Sequence, residues 1–534
     1  MRLHLAAVRR STIALPFACA LAIAAPFIFQ LPAETDAGWH IALGRRVLAS
    51  GVPRTNALSW KFAATPWYDT SWLWDLLSAL VQGARTDALP QELLTLAFLA
   101  VTLWLLAVAC AREGSAWVLP AVALLLVPRT VPRPLLASWA VLAAALAARS
   151  RRERALAVVA VALGSNFHTG AAFGAFVLGL SCLEAFWRER RWEDLALGAL
   201  AGLALLANPG GAQTPEILFS HLSIGEVVKL REFEPPAWAN EPGLFVVLPL
   251  AVLLAAFRFR ARPALLAATL VFAAFALRTQ RMVYEAELVF TPTLAFGLSL
   301  VPLRAARGAL AAAGAVLALL SHGLQRTTPR LSTSWDERAL PVRAARFISA
   351  HGLGPPFFNG LRDGGYLDLV LGTSFFDGRE FAVPPAALRD WQEAEKSPAA
   401  FQAWLRSMDI EWAIATRLRE RLGGYRLIDG PGWALVYWDA TSEVYVRRDV
   451  PRLAGLLPLE YRFLRPSGAN VAAPGIFAEF DRFEQGSPGD ATAALLRCAA
   501  ASRQGQPGAA ALCDGALSRG ADPAQVAKAR ALRP

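Results

Sequence analysis

Runs of almost wholly apolar residues recur along the first 325 positions, each near the length that crosses a bilayer. This recurrence constrains the chain more than any single motif. A hydrocarbon core about 30 Å thick needs roughly 20 apolar residues in a helix, and lipid offers no partner to a stray backbone N–H or C=O. The runs predict helices near 12–31, 91–111, 116–128, 135–148, 155–167, 170–187, 194–208, 243–257, 264–277, 283–302 and 308–323. The expected fold is a polytopic α-helical membrane protein of about eleven spans. Several runs are short, which implies tilted, broken or partly re-entrant helices. With 55% hydrophobic and 18% charged residues, the composition argues against a soluble enzyme of this size.

The net charge is +11, yet only four lysines occur (Lys61, Lys229, Lys396, Lys528). The basic charge is therefore arginine, and most of it sits in short connections between apolar runs. That pattern sets topology and gives no reason to expect a nucleic-acid partner. With the N-terminus inside, the inner loops collect Arg2, Arg9 and Arg10, Arg112, "RSRRER" (149–154), "WRERRWED" (187–194), "RFRARP" (258–263), Arg304 and Arg307. Eleven crossings then leave the 33–90 loop and everything past about residue 324 outside. The run from Ser11 to Pro32 is longer than a signal-peptide core and is expected to stay as the first span. The domains expected are a membrane region over 1–325, an extracytoplasmic α/β domain over 326–450, and a linker with a helical tail over 451–534.

Four arginines break the topological rule. Arg129 and Arg133 in "PRTVPRP", and Arg278 and Arg281 in "RTQR", fall on the outer side. Single ones read as snorkelling side chains. Together they are candidates for a phosphate or pyrophosphate site. Glu285 and Glu287 lie just beyond and compete as partners.

In the first outer loop, "GWHIALGRRVLASG" has helical spacing and is stopped by Gly51 and Pro53. From Thr70, residues Trp72, Leu73, Leu76, Leu77 and Leu80 share one face, as in an amphipathic interfacial helix. Trp60, Trp67, Trp72 and Trp74 suggest an aromatic belt, with sugar stacking as the lesser alternative.

These segments resemble the glycosyltransferase C superfamily, polytopic enzymes that use polyprenyl-phosphate sugars. "DAGWHIALGRRVLASGVPRTNALSW" followed by "TPWYDTSWLWDLL" resembles a bacterial membrane branch of it. The branch carries Asp-x-x-Trp-His, then Asp-x-Phe-Ser, then Pro-Trp…Trp-Leu. "SNFHTGAAFG", "ANPGG", "REFEPP", "RTQRMVYEAELVFTPTLA" and "FFNGLRDGGYLDLVLGTSFFDGREF" match further segments in order, over roughly residues 30–450. Asn56-Ala57-Leu58-Ser59 departs from the branch, which has an Asp and an aromatic there.

The resemblance implies transfer of a sugar from a lipid phosphate, and it makes Asp36 the candidate base. Glu34, two residues earlier, is the runner-up. A base activates the acceptor and positive charge steadies the leaving phosphate. The competing role for Asp36 is to cap the helix that begins near Gly38. His40 lies four residues on and is a candidate to orient the acid or meet the donor phosphate. Asp69 and His168 are further cavity candidates, although a membrane histidine is often just an interhelical hydrogen bond. Asp36, His40, Asp69 and His168 leave a divalent cation possible, but no spacing is diagnostic, so neither a metal nor another cofactor is assigned.

Past 326 the composition becomes ordinary globular. "PPFFNG", "SFFDGREF" and "DIEWAIAT" read as short buried strands, with helices at 337–351, 384–395 and 398–408. "GYRLIDGPGWALVYWDATSEVYVRR" alternates like a hairpin. Asn359, Asp363, Asp377 and Arg379 are acceptor-binding candidates, with turn and strand-end roles as the alternative. Cys19, Cys110 and Cys182 lie in apolar segments and read as buried thiols. Cys498 and Cys513, in an Ala-rich helix–turn–helix tail, would pair if the tail is extracytoplasmic. No Walker loop, dinucleotide fingerprint or nucleophile elbow is present. A flippase for lipid-linked glycans and a non-catalytic scaffold for envelope polysaccharide assembly are the alternatives to the enzyme.

Overall fold

A computed structural model of the chain describes residues 10–29, 34–217, 233–301, 332–379, 382–416, 427–466 and 468–532, with a few isolated positions between 308 and 316. Arg2, Arg9, Arg304, Arg307, Lys229 and nearly all of the helix expected over 308–323 lie outside the described residues.

The chain forms two compact units. The first holds residues 1–54 and 67–334, the second residues 55–66 and 335–534. The second unit therefore includes twelve residues of the first outer loop, a division that the sequence did not suggest.

The first unit is helical. Its long elements are α1 (Arg10–Ile28), α2 (Ala37–Ser50), α3 (Trp72–Gln82), α4 (Leu89–Glu113), α5 (Leu119–Leu126), α6 (Leu135–Ala147), α7 (Arg151–Gly164), α8 (Ala171–Glu189), α9 (Trp192–Ala204), α10 (Pro242–Phe257), α11 (Pro263–Arg278) and α12 (Val283–Ser299). Ten of these follow apolar runs closely. Punctuation is local: Ser150 and Glu153 form a reciprocal capping box at the start of α7, while Pro at the first turn opens α4, α5, α10 and α11. Only α4 and α8 are both long and apolar enough to cross a bilayer by themselves among the described helices. The count of eleven spans therefore rests on the sequence alone.

Packing in this unit is inverted in places. In α3 the polar Asp75, Ser78 and Gln82 are buried, whereas Leu80 and Val81 are exposed. Leu93 and Val101 of α4, Leu156, Val159 and Leu163 of α7, Leu200 and Leu203 of α9, and Val246, Leu250 and Leu253 of α10 also face outward. So many outward apolar side chains mark a surface built for contact with something apolar. Trp74 is fully buried and takes no part in the expected aromatic belt.

The second unit is built on a four-stranded mixed sheet: β1 (Phe357–Asn359), β2 (Trp412–Thr416), β3 (Trp433–Trp438) and β4 (Ser442–Arg447), in the order β1-β2-β4-β3. β1 and β2 run parallel, and the other pairs are antiparallel. The expected hairpin is β3–β4. Helices α13 (Val342–Ala350), α14 (Leu361–Leu371), α15 (Pro385–Ala394) and α16 (Pro398–Ser407) surround the sheet. "SFFDGREF" forms no strand among its described residues. Its Ser374 makes one isolated parallel bridge, to Ser59. After a short β5–β6 ribbon (Leu464–Arg465, Gly468–Ala469) come α17 (Ile476–Gly486), α18 (Ala491–Arg503), α19 (Ala509–Ser518) and α20 (Pro523–Arg530). Cys498 and Cys513 form a disulfide between α18 and α19. Cys110 and Cys182 are buried thiols, and Cys19 is half-buried.

The 55–66 segment belongs to this unit by backbone and side chain alike. Ser374 N–H donates to the Leu58 carbonyl and Trp60 N–H to that of Ser374. Trp60 Nε1 donates to the Phe357 carbonyl, and Phe62 stacks on Phe376. Asn56 Nδ2 donates to the Ala382 carbonyl, and its Oδ1 accepts from Arg379 Nη2 at 2.8 Å. Removing this buried amide strips partners from a carbonyl and a guanidinium. Asn56→Ala should cost about 1–3 kcal/mol, read as a lower denaturation midpoint of the full-length protein.

Burial pushes the Asp363 carboxyl up to about 6. It also pushes Asp368 well up, with the Asp377 charge adding to the effect. A raised folded-state pKa means that the folded form holds protons that the unfolded form releases. The associated stability is complete at low pH and is lost as pH rises through the folded pKa. This unit should therefore exchange its amide hydrogens more slowly at pH 5 than at pH 7.5, after correction for intrinsic rates. Asp363→Asn should reduce that difference.

Candidate functional site

The end of the first unit that bears the outer loop gathers the candidate polar residues. Asp36 occupies the N-cap position of α2, but its side chain makes no capping bond. The carboxylate turns to Arg133 instead. Arg133 Nη2 lies 2.9 Å from Asp36 Oδ2 and 2.8 Å from Glu34 Oε1. Asp36 N–H also donates to Glu34 Oε1 at 3.0 Å. One guanidinium thus holds two carboxylates, leaving a formal charge of −1. Side-chain exposure is 17% for Asp36, 8% for Glu34 and 24% for Arg133, so the trio is half-buried and reachable. The capping role for Asp36 is overturned: the arginine offers a charged partner that a backbone N–H does not match.

His40 does not face Asp36. Its Nδ1 lies 2.5 Å from Asp75 Oδ1, with exposures of 2% and 0%. The pair is sealed by Trp39 and Trp74 and joins α2 to α3. Neither donor phosphate nor substrate reaches it there. Asp75 escaped the sequence reading because it sits on the polar side of an amphipathic helix, the side expected to face water. Gly44, one turn after His40, explains the close approach: a Cβ there would lie 1.9 Å from the Asp75 carbonyl oxygen.

The four outer arginines do not form one clamp. Arg133 is taken by Glu34 and Asp36. Arg129 acts on Glu241 and on Glu285, and Arg281 also acts on Glu285. Arg281 lies over the Phe233 ring. Arg278 ends α11 and is exposed. The two do not share a helix face, because Thr279 breaks α11 before Arg281 enters a separate turn. Glu285 also accepts from Trp139 Nε1 at 3.2 Å, and Tyr284 Oη contacts Glu241 Oε1 at 3.5 Å. Glu241 was missed by sequence reasoning. Burial pushes its carboxyl up to about 7, opposed by the Tyr284 hydroxyl and Arg129.

His168 Nδ1 accepts from Gly170 N–H at 3.1 Å and lies 2.8 Å from the Ser138 hydroxyl, joining the starts of α6 and α8. Asp69 is buried and accepts from Ser71 N–H at 2.9 Å. Among the described residues no three His, Cys, Asp or Glu side chains come together as metal ligands. The expected convergence of Asp36, His40, Asp69 and His168 is not formed, because His40 turns to Asp75 and His168 to Ser138.

The acceptor-binding candidates of the second unit are interior groups. Asp377 holds Arg379 through Nε at 3.0 Å and also through Nη2. Asn359 Nδ2 donates to the Phe376 carbonyl, and its Oδ1 accepts from Phe375 N–H at 2.8 Å. Asp363 accepts from the Thr416 hydroxyl. All four side chains are buried. Their recurrence at turns reflects construction of the domain, and the acceptor-binding reading is withdrawn.

No protein-family profile matches the chain, and no curated protein sequence does. Solved structures do. The oligosaccharyltransferase of Archaeoglobus fulgidus in its apo form aligns at a TM-score of 0.52 and 10% identity, over 76% of this chain and 70% of that one. A second structure of that protein, with zinc and sulfate, aligns at a TM-score of 0.46 and 12% identity, over 74% of this chain and 68% of that one. The first likeness shows a shared fold.

The α2–α3 junction has no room for a larger residue at position 44. Gly44→Val should separate the helices, break the His40–Asp75 pair and cost about 3 kcal/mol or more. The check is loss of folded protein on gel filtration in detergent, with the exposed Ser50→Val as the unaffected control.

Proposed function

We propose that the protein is an integral-membrane glycosyltransferase that moves a sugar from a polyprenyl-phosphate donor to a lipid, glycan or protein acceptor. The single observation that carries this reading is Asp36: a reachable carboxylate at a helix start that declines its capping bond and faces an arginine, within a fold shared with an oligosaccharyltransferase.

The apolar outward faces of α4, α7, α9 and α10 support a bilayer around the first unit. The arginine-rich turns support a cytoplasmic N-terminus and a bacterial inner-membrane location. The Cys498–Cys513 disulfide fits an extracytoplasmic second unit.

In the proposed reaction the acceptor hydroxyl or amide gives its proton to Asp36 as its oxygen or nitrogen bonds to the sugar C1. The bond from C1 to the phosphate oxygen breaks, and the phosphate leaves with the electron pair. Attack opposite the leaving group inverts the anomeric centre. Arg133 is the cation closest to the base, and Glu34 keeps it oriented. A departing phosphate would exchange for a carboxylate on the same guanidinium.

Purified protein with radiolabelled polyprenyl-phosphate sugars tests the reading. Asp36→Asn should lower transfer by about 100-fold or more while the protein still elutes as a folded species. Glu34→Gln should retain more activity than Asp36→Asn. Parent-level transfer by a folded Asp36→Asn variant would falsify the base assignment.

A further inference from the structure

The end of the first unit far from Asp36 divides its arginines into two sets. Arg133 precedes α6 and Arg149 follows it, and the turns after α4, α6, α8 and α10 meet at that far end. One set is used up inside. Arg149 Nη2 lies 2.5 Å and Arg262 Nη1 3.1 Å from Glu113 Oε1, Arg258 bonds the other oxygen, and Arg154 Nη2 lies 2.8 Å from Asp194 Oδ1. The other set points outward. Arg190 and Arg191 are the whole connection between α8 and α9, and Arg190 takes a left-handed φ of +56° there. With Arg188 and Arg260 they make four exposed arginines against two exposed carboxylates, Glu189 and Glu193. Arg188 Nη2 donates to the Arg260 carbonyl at 3.2 Å and to the Ala261 carbonyl at 2.6 Å, so the α8–α9 and α10–α11 turns form one surface.

Large aromatic side chains stand open beside these cations. Trp187 is 72% exposed, Trp192 73% and Phe257 76%, and Phe259 is exposed as well. Water gives no reason to present two indoles in one turn. The order along the helices says what they meet. On α10, Val246, Leu250, Leu253 and Phe257 share an outward face, and Phe259 and Arg260 come next. On α8, Leu183 and Trp187 share an outward face, and Arg190 follows. Both series run from aliphatic through aromatic to arginine. A leaflet has the same order from its interior: hydrocarbon, interfacial layer, charged headgroups. A soluble protein partner needs no such gradation.

We infer that the joined α8–α9 and α10–α11 turns are a contact surface for anionic phospholipid headgroups, with Arg190, Arg191 and Arg260 among the phosphates and Trp187 and Trp192 in the layer beneath. The inference rests on the membrane placement proposed above, and not on sugar transfer. It adds that this end of the unit selects lipids of net negative charge. The headgroups lie on an open surface and are held by charge, so the contact is sensitive to salt.

The test uses the full-length protein in phosphatidylcholine nanodiscs doped with a trace of photoactivatable lipid. The probes are phosphatidylglycerol and phosphatidylcholine, alike in acyl chains and in the position of the reactive group, and labelled peptides are mapped by mass spectrometry. At low salt the peptides spanning 183–195 and 257–261 should take the phosphatidylglycerol label about tenfold over the phosphatidylcholine label, and the preference should fall as salt rises. Arg190→Gln with Arg191→Gln should cut the preference by about fivefold or more. Both side chains are exposed, so the double variant should fold. If it does not, Arg260→Gln alone should lower the preference in the same direction. Arg46→Gln, exposed on α2, should leave it unchanged. Equal labelling by the two lipids would overturn the inference, as would an unchanged preference in a folded arginine variant. Label on the outward face of α10 but none on the turns would overturn the surface and leave the membrane placement standing, whereas no label on any helix would overturn both. Asp36→Asn should be labelled like the parent, so failure of this surface and failure of the enzyme reading are distinguishable.

Discussion

Apolar outward faces leave the helical unit few places for charge: its interior and its two ends. Leucines and valines occupy the outward positions of α4, α7, α9 and α10. In the proposed bilayer a carboxylate among them would face no partner and no water. The charges accordingly collect at the turns, and there they pair across the chain. One end gathers Glu113, Arg149, Arg258 and Arg262 from three separate connections. The other gathers Glu34, Asp36 and Arg133. Both clusters follow from one constraint, and their difference lies in what is exposed. Asp36 and Arg133 are partly open, whereas Glu113 is closed over by its arginines.

The same constraint explains α3. A helix on a water-facing surface hides its leucines. Here Asp75, Ser78 and Gln82 are hidden, and the neighbouring polar groups satisfy them in part: Gln91 Nε2 donates to the Ser78 carbonyl and to Gln82 Oε1, both at 3.0 Å. His40 serves Asp75 from α2. A buried ion-pair-like contact of this kind contributes position more than net stability. Its evident effect is to hold α2 against α3, and α2 begins at Asp36. The histidine is therefore a positioning element for the segment that carries the acid.

Much of the helical unit was legible because its signal is long and periodic. Ten apolar runs became helices with boundaries within a few residues, and Gly51, with φ at +83°, ends α2 just before Pro53, as the sequence suggests. Partner choice was not legible. Asp36 and His40 stand four residues apart, which allows contact on one helix face. The structure sends one to Arg133 and the other to Asp75, 97 and 35 positions away in the chain. Glu285 was visible beside the arginines, but Glu241, which meets the Tyr284 hydroxyl, was not, since nothing local marks it. In the second unit, "SFFDGREF" reads as a short buried strand. Asn359 and Ser59 take its hydrogen bonds instead: Phe375 N–H goes to the Asn359 side chain, and the Phe375 carbonyl accepts from the Ser59 hydroxyl. Side chains outbid a ladder there, and periodicity carries no information about them.

The departure at Asn56 gains its meaning from this last point. A carboxylate at that position would face Asp377 through Arg379, one guanidinium already committed to one acid. The neutral amide gives an acceptor to Arg379 and a donor to the Ala382 carbonyl, which a carboxylate cannot do. Asn56 is thus fitted to the interior of the second unit, while Asp36, twenty positions earlier, is fitted to the open end of the first. The outer loop is one covalent segment with two separate obligations. In the proposed reaction the part of it that serves chemistry is the half-buried Asp36 at the start of α2.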